Sequence, residues 1–270
     1  MIHPTAIVDP TAELDSSVEV GPYATIEANV RIGAGSKLLT HAFVGEGTIL
    51  GENNEIHMGA VIGHHPQHRG WEGVSGATQI GNDNIFREYV TIHRSWKADQ
   101  HTIIGDDNLF MALSHVGHDS VVGSHCNIAN NCLFSGHVVL GDGIFASGGA
   151  GVHQFVSIGD MAMLGAYSRN KKDVPPYALI WGDGEVTAIN MVALKRSGVS
   201  AEGRSAVKKA YHLLYHSGLN VSQALEEIKK LPSQPEVDKL IDFIESSKRG
   251  ICPWKKSGSP KEEAQTDGND

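Results

Sequence analysis

The sequence predicts a parallel β-helix followed by a small helical domain. Three observations carry this. First, from Ile2 to Leu164 every sixth residue is apolar with almost no exceptions: of 28 such stops only His68, Ala98 and Ala146 are not Ile, Leu, Val or Phe. A period of six fits neither a 3.6-residue helix nor a lone alternating strand, and it is the mark of a coil built from hexapeptides, three to a turn. Second, the residue after each stop is often Gly (Gly21, Gly33, Gly45, Gly51, Gly105, Gly123, Gly141), where the chain turns a corner. Third, the period changes to a helical one after Ser200.

Taken in order, residues 1–190 form the β-helix, a prism of about nine coils of 18 residues, with a small residue four after many stops (Ala24, Ser36, Ala42, Ala60, Ser114, Ser120). The pattern lapses at 64–79 and 94–103, which read as loops leaving the coil, and loops on a rigid scaffold commonly carry function. Asp173-Val-Pro-Pro-Tyr177 interrupts any regular element. Residues 191–251 form the helical domain. Ser200 caps a helix of about 16 residues that ends at Gly218, a second helix covers about 221–231, and a third begins at Pro235 in the favoured first position. Residues 252–270, poor in apolar side chains, are expected to be disordered.

Composition excludes several classes. The net charge of -9 argues against nucleic acid as a partner. Three cysteines, two of them six apart at Cys126 and Cys132, match neither a disulfide framework nor a zinc finger and read as buried thiols. No secretory leader opens the chain and no run is long enough for a membrane span, so a soluble cytoplasmic protein is expected. Against the acidic whole, Lys195, Arg196, Arg204, Lys208 and Lys209 face only Glu202 between Met191 and Gly218. This is either a solvated helix face or a dock for an acidic protein or phosphates.

The candidate chemistry follows from the 18-residue coil. His118 lies under Gly136, which lies under Gln154; His137 stands above Asp119; His153 stands above Ser135. Five polar groups therefore gather on one edge of three coils, with glycines leaving room for a substrate. Asp119 beside His118 suits a base and its orienting partner. A zinc site from His115, His118 and His137 is not expected, because the stacking gives no convergence of three imidazoles, and no Gly-x-Ser-x-Gly nucleophile motif occurs.

His115-Val-Gly-His118-Asp119, Ile128-Ala-Asn-Asn131, Gly136-His137, Val152-His153-Gln154-Phe155, Asp173-Val-Pro-Pro-Tyr177, Asn190 and Leu194-Lys-Arg196, with Val90-Thr-Ile-His93-Arg94, resemble the UDP-N-acetylglucosamine O-acyltransferases over residues 1–250. The resemblance implies a left-handed β-helix, a cytoplasmic homotrimer with sites between subunits, and no cofactor. It implies transfer of a hydroxyacyl group from acyl carrier protein to the 3-position of UDP-N-acetylglucosamine, the first step of lipid A synthesis. His118 would be the general base, Asp119 its support and the Gly136 N–H the oxyanion donor. Gln67, His115, His137, His153 and Gln154 would position the substrates. Asn190 and Arg196 would reach phosphates from a neighbouring subunit, and Met163 and Ala166 would set acyl length. The sequence departs from the family at His68-Arg69-Gly70, where Asp-x-Lys is usual, and at Val192 and Ser197. All three places touch acceptor recognition, so the alternatives are a related transferase for another UDP-amino sugar or an acyl-CoA donor, and an inactive trimeric scaffold.

Overall fold

The computed structural model describes residues 1–255 apart from Val74. It is a left-handed parallel β-helix with three sheets of short strands, nine, eight and ten deep, all parallel except the last strand of the third sheet. Most strands are two residues long, and the second residue of each is a hexad stop pointing inward. Ile26, Val44, Ile62, Ile92, Val116, Phe134 and Val152 make one inner face, and all are buried. Each such side chain stabilises the prism by about 1.5–3 kcal/mol. Phe86 and Phe110 stack at 5.1 Å on the axis. Ala146, an exception to the pattern, is fully buried beside them in sequence phase.

Coils pair at a spacing of 18, as in Ile7↔Thr25 and His115↔Leu133. Two steps differ. Val61 pairs with Thr91 and Thr91 with His115, so two excursions insert twelve and six extra residues. Both insertions are multiples of six, which is why the sequence phase survives them. His68 and Ala98, two of the three exceptions, lie in these excursions and not in the prism wall.

The corners differ from the expectation in their cause. Gly33 and Gly45 do not have positive φ; a Cβ there would lie 2.7 Å from Gly51 and 2.3 Å from the Gly63 carbonyl oxygen, so glycine lets successive coils approach. The left-handed backbone falls two residues later, at positions such as Asp119 (φ 60°), His137 (φ 58°) and Phe155 (φ 66°).

Above the last coil, Ala178–Trp181 and Glu185–Ile189 form an antiparallel hairpin that the sequence reading missed. Four helices follow: α1 (Met191–Arg196), α2 (Ala201–His216), α3 (Val221–Ile228) and α4 (Pro235–Ser246). Ser200 caps α2 by accepting from Gly203 N, and Asn220 forms a capping box with Gln223 on α3. Tyr211 of α2, fully buried, donates to the Pro176 carbonyl and so ties the helices to the prism. Residues 252–255 do not trail away as expected. Cys252 is buried, its N–H donates to the Asp173 carbonyl at 2.8 Å, and Trp254 bridges to Val186. The remainder of the tail, 256–270, lies outside the described residues.

Candidate active site

The hexad register alone brings His118, Asp119, Gly136, His137 and Gln154 to one edge. His118 Nδ1 meets Asp119 Oδ2 at 2.5 Å, and both side chains are almost fully buried. With Nδ1 committed to the carboxylate, Nε2 is the free basic nitrogen of His118. That atom faces Gly136: a Cβ on Gly136 would lie 2.8 Å from His118 Nε2 and Cε1. His137 packs edge-on to His118 at 5.2 Å, stacks on Phe155 at 4.7 Å, and holds Nε2 3.7 Å from Asp119 Oδ2. A free donor sits beside this group. On another edge the equivalent N–H groups of Asn82, Asp106, Ser124 and Asp142 each donate to a side chain of the next coil. The Gly136 N–H donates to no group among the described residues.

His118, Gly136 and Gln154 open onto a cavity of about 400 Å³, lined also by Gln67, His68, His93 and His115; Asp119 and His137 are not among its lining residues. The first excursion contributes Gln67 and His68, and the second packs Trp96 against His68 at 4.2 Å. His68 Nδ1 accepts from Gly70 N at 3.0 Å, which leaves Nε2 as the N–H of the neutral ring. His115 is held by Thr91 Oγ1 at 2.8 Å, and His93 donates from Nδ1 to the His65 carbonyl at 2.5 Å.

The electrostatics keep most of this cluster neutral. Burial lowers the His93 pKa to about 4, assisted by His115. Burial and then the neighbouring His118 lower that of His115, and burial lowers that of His137 against the opposing pull of Asp119. Burial by itself would raise the Asp119 carboxyl, but hydrogen bonds from His118 and Ser95 outweigh it, and its pKa falls below the ordinary value. The result is one buried, ionised carboxylate behind His118, with His93, His115 and His137 disfavoured as cations. His118, Asp119 and His137 also carry the one metal-type grouping among the described residues, with ligand atoms within 4.8 Å of one another.

Several sequence-predicted residues lie elsewhere. His153 is exposed, with Nδ1 against the Gln154 carbonyl at 3.1 Å, outside the cavity lining. Asn190 is occupied: its Oδ1 caps α1 through Ala193 N, and its Nδ2 donates to the Met161 carbonyl at 2.9 Å. Arg196 is exposed on α1. Met163 and Ala166 are half-buried on the strand and corner that lead to the next edge of the prism, so within one chain they do not meet His118. Conversely, His68 and His93, named within the motifs compared with the family, line the cavity, and Ser95 and Trp96 belong to the site without having been singled out. The only sequence signal for Ser95 and Trp96 was the loss of the hexad in the second loop.

Residues 173–252 match a family profile described as UDP-N-acetylglucosamine O-acyltransferase, domain 2, and residues 101–136 match the bacterial transferase hexapeptide repeats. An acyl-[acyl-carrier-protein]–UDP-N-acetylglucosamine O-acyltransferase of Burkholderia lata is 47% identical over 257 residues, 93% of this chain and 98% of its own. Its counterpart in Pseudomonas entomophila is 45% identical over 253 residues, with the same coverage. Among solved structures, LpxA from Acinetobacter baumannii superimposes with a TM-score of 0.90 at 41% identity, over 93% of this chain and 99% of that one. The UDP-N-acetylglucosamine acyltransferase of Francisella novicida gives 0.91 at 32% identity over the whole of both chains.

Proposed function

The chain belongs to the UDP-N-acetylglucosamine O-acyltransferase family, and from that premise we propose that it moves a hydroxyacyl group from acyl carrier protein to the 3-hydroxyl of UDP-N-acetylglucosamine. The observation that carries the proposal is the meeting of the His118–Asp119 pair with an undonated Gly136 N–H. His118 Nε2 removes the proton as the sugar oxygen attacks the thioester carbonyl. Asp119 supports the imidazolium through Nδ1–H. The Gly136 N–H receives the negative charge that develops on the carbonyl oxygen. When the tetrahedral intermediate collapses, the carbon–sulfur bond breaks and the thiolate of the carrier arm takes the proton back from His118. The neutral ring of His137, with His115, Gln67 and Gln154, orients the acceptor. No step calls for a metal or a cofactor.

The site is completed in a homotrimer. The cavity is open in one chain, and large apolar side chains remain exposed along the prism, among them Tyr89, Leu113, Leu133, Phe155 and Tyr167. A neighbouring prism covering such an edge brings Asn190, Arg196, Met163 and Ala166 within reach of the substrates. Among the described residues no helix is long and apolar enough to cross a membrane, and the three cysteines are free and buried. A cytoplasmic site of action accords with both. The test is acyl transfer by the purified protein from hydroxyacyl carrier or from acyl-CoA to a panel of UDP-sugars, with sedimentation alongside. Transfer from the carrier to UDP-N-acetylglucosamine by a species of three chains is expected. A monomer, or transfer only from acyl-CoA, overturns the proposal.

The carrier, an acidic protein, is steered by Lys195, Arg196, Lys208 and Lys209. All four are exposed and form no ion pair among the described residues. Arg204 contributes less, since its guanidinium donates to the Val199 carbonyl. Reversing Lys208 and Lys209 to Glu raises the KM for the carrier by about tenfold and flattens its salt dependence. An unchanged salt response in steady-state kinetics means the face is merely solvated.

A further inference from the structure

We infer that Ser95 is a positioning residue of the reaction, the third member of a Ser95–Asp119–His118 chain; the inference rests on the acyl-transfer reading above. Ser95 is fully buried, and its hydroxyl donates to Asp119 Oδ1 while His118 Nδ1 takes Oδ2 at 2.5 Å. Each carboxylate oxygen thus has its own donor. The single hydroxyl proton has a second acceptor within reach, the Lys97 carbonyl at 3.2 Å. The carboxylate is charged and closer, and it wins that proton. A lone pair of Oγ then accepts from Lys97 N at 3.1 Å.

The hydroxyl is not free to drift. Ser95 N donates to the Ala77 carbonyl at 3.3 Å and its carbonyl accepts from Gly76 N at 3.0 Å, so the second excursion is clasped against the end of the first. The approach is close: a Cβ on Gly76 would lie 1.9 Å from the Gln100 carbonyl oxygen. The Asp119 backbone is anchored separately, by its N–H on Thr102 Oγ1 at 2.8 Å.

This matters because two imidazoles compete for one oxygen. His137 Nε2 lies 3.7 Å from the same Oδ2 that His118 engages. Rotation of the carboxyl group would hand that oxygen to His137 and leave His118 without its orienting partner. Holding Oδ1 fixes the plane of the carboxylate and decides the competition for His118. The hydrogen bond from Ser95 also withdraws charge from the carboxylate. Removing it frees the carboxyl group to turn, so the His118 ring loses the partner that fixes its tautomer.

The experiment uses the full chain with hydroxyacyl carrier and UDP-N-acetylglucosamine. Ser95→Ala is expected to lower kcat about tenfold, with both KM values changed less than about twofold. Ser95→Cys, with a weaker donor in a similar volume, falls between the parent and Ser95→Ala in kcat. The 15N spectrum of His118 is read without substrate: a single Nδ1–H tautomer in the parent becomes a mixture in Ser95→Ala. An unchanged kcat and tautomer overturns the inference, and a change confined to KM makes Ser95 a loop anchor instead. An inactive parent protein overturns the acyl-transfer reading, while the tautomer spectrum still decides the role of Ser95.

Discussion

Replacing His118 with Ala lowers kcat by roughly two to four orders of magnitude, the range for a positioned general base, while the trimer stays folded. The reasons are local. The ring lies at the edge of the prism, its loss leaves the inward stops of the hexads untouched, and its one strong partner is Asp119. The sugar hydroxyl titrates far above neutrality, so without a base it is a poor nucleophile. None of the surrounding rings takes over. His137 and His115 lie near, but His137 has its Nε2 directed at Asp119 and His115 is tied to Thr91. KM for both substrates stays close to that of the parent, since the base acts mainly in the transition state. Single-turnover kinetics with labelled acyl carrier, together with circular dichroism and sedimentation, check each part. Near-parental turnover removes His118 from the chemistry.

Gly136→Ala is expected to be nearly as damaging, by about two to three orders of magnitude in kcat. The added methyl would stand 2.8 Å from His118 Nε2 and Cε1, closer than carbon tolerates. The imidazole has to swing away, and its 2.5 Å bond to Asp119 goes with it. The same methyl crowds the space in front of the Gly136 N–H, where the oxyanion forms. Gly136 does not have positive φ, so the backbone accepts alanine without strain and the loss is one of chemistry rather than folding. Paired with His118→Ala, the double variant is expected to lose little beyond the single ones, because both remove the same placed base. Full additivity of the two losses, measured as ΔΔG‡ from kcat/KM, contradicts the clash between residue 136 and the ring.

What the sequence alone determined was everything that repeats. A strict six-residue period sets which side chains enter the core, and a coil of 18 makes residues n and n+18 neighbours. The spacing therefore stacks His118, Gly136 and Gln154, and sets Asp119 under His137. The three longer helices were equally legible, because signals such as the Ser200 cap and the proline at 235 act within one turn of chain, whereas the short α1 was not expected. Only the tertiary structure decided the parts that break the period. The two excursions add twelve and six residues, so the pairs that finish the site lie at other separations: Thr91 with His115 and Ser95 with Asp119 are both 24 apart. Inside an excursion nothing in the spacing says where a side chain goes. Its path is set by contacts such as Gly76 against Gln100 and Trp96 against His68, which exist only once the coils beneath have closed. The same holds for corner glycines such as Gly33 and Gly45, whose role is close approach between coils. A repeating lattice specifies its contacts through sequence distance, whereas an excursion specifies them through packing in three dimensions.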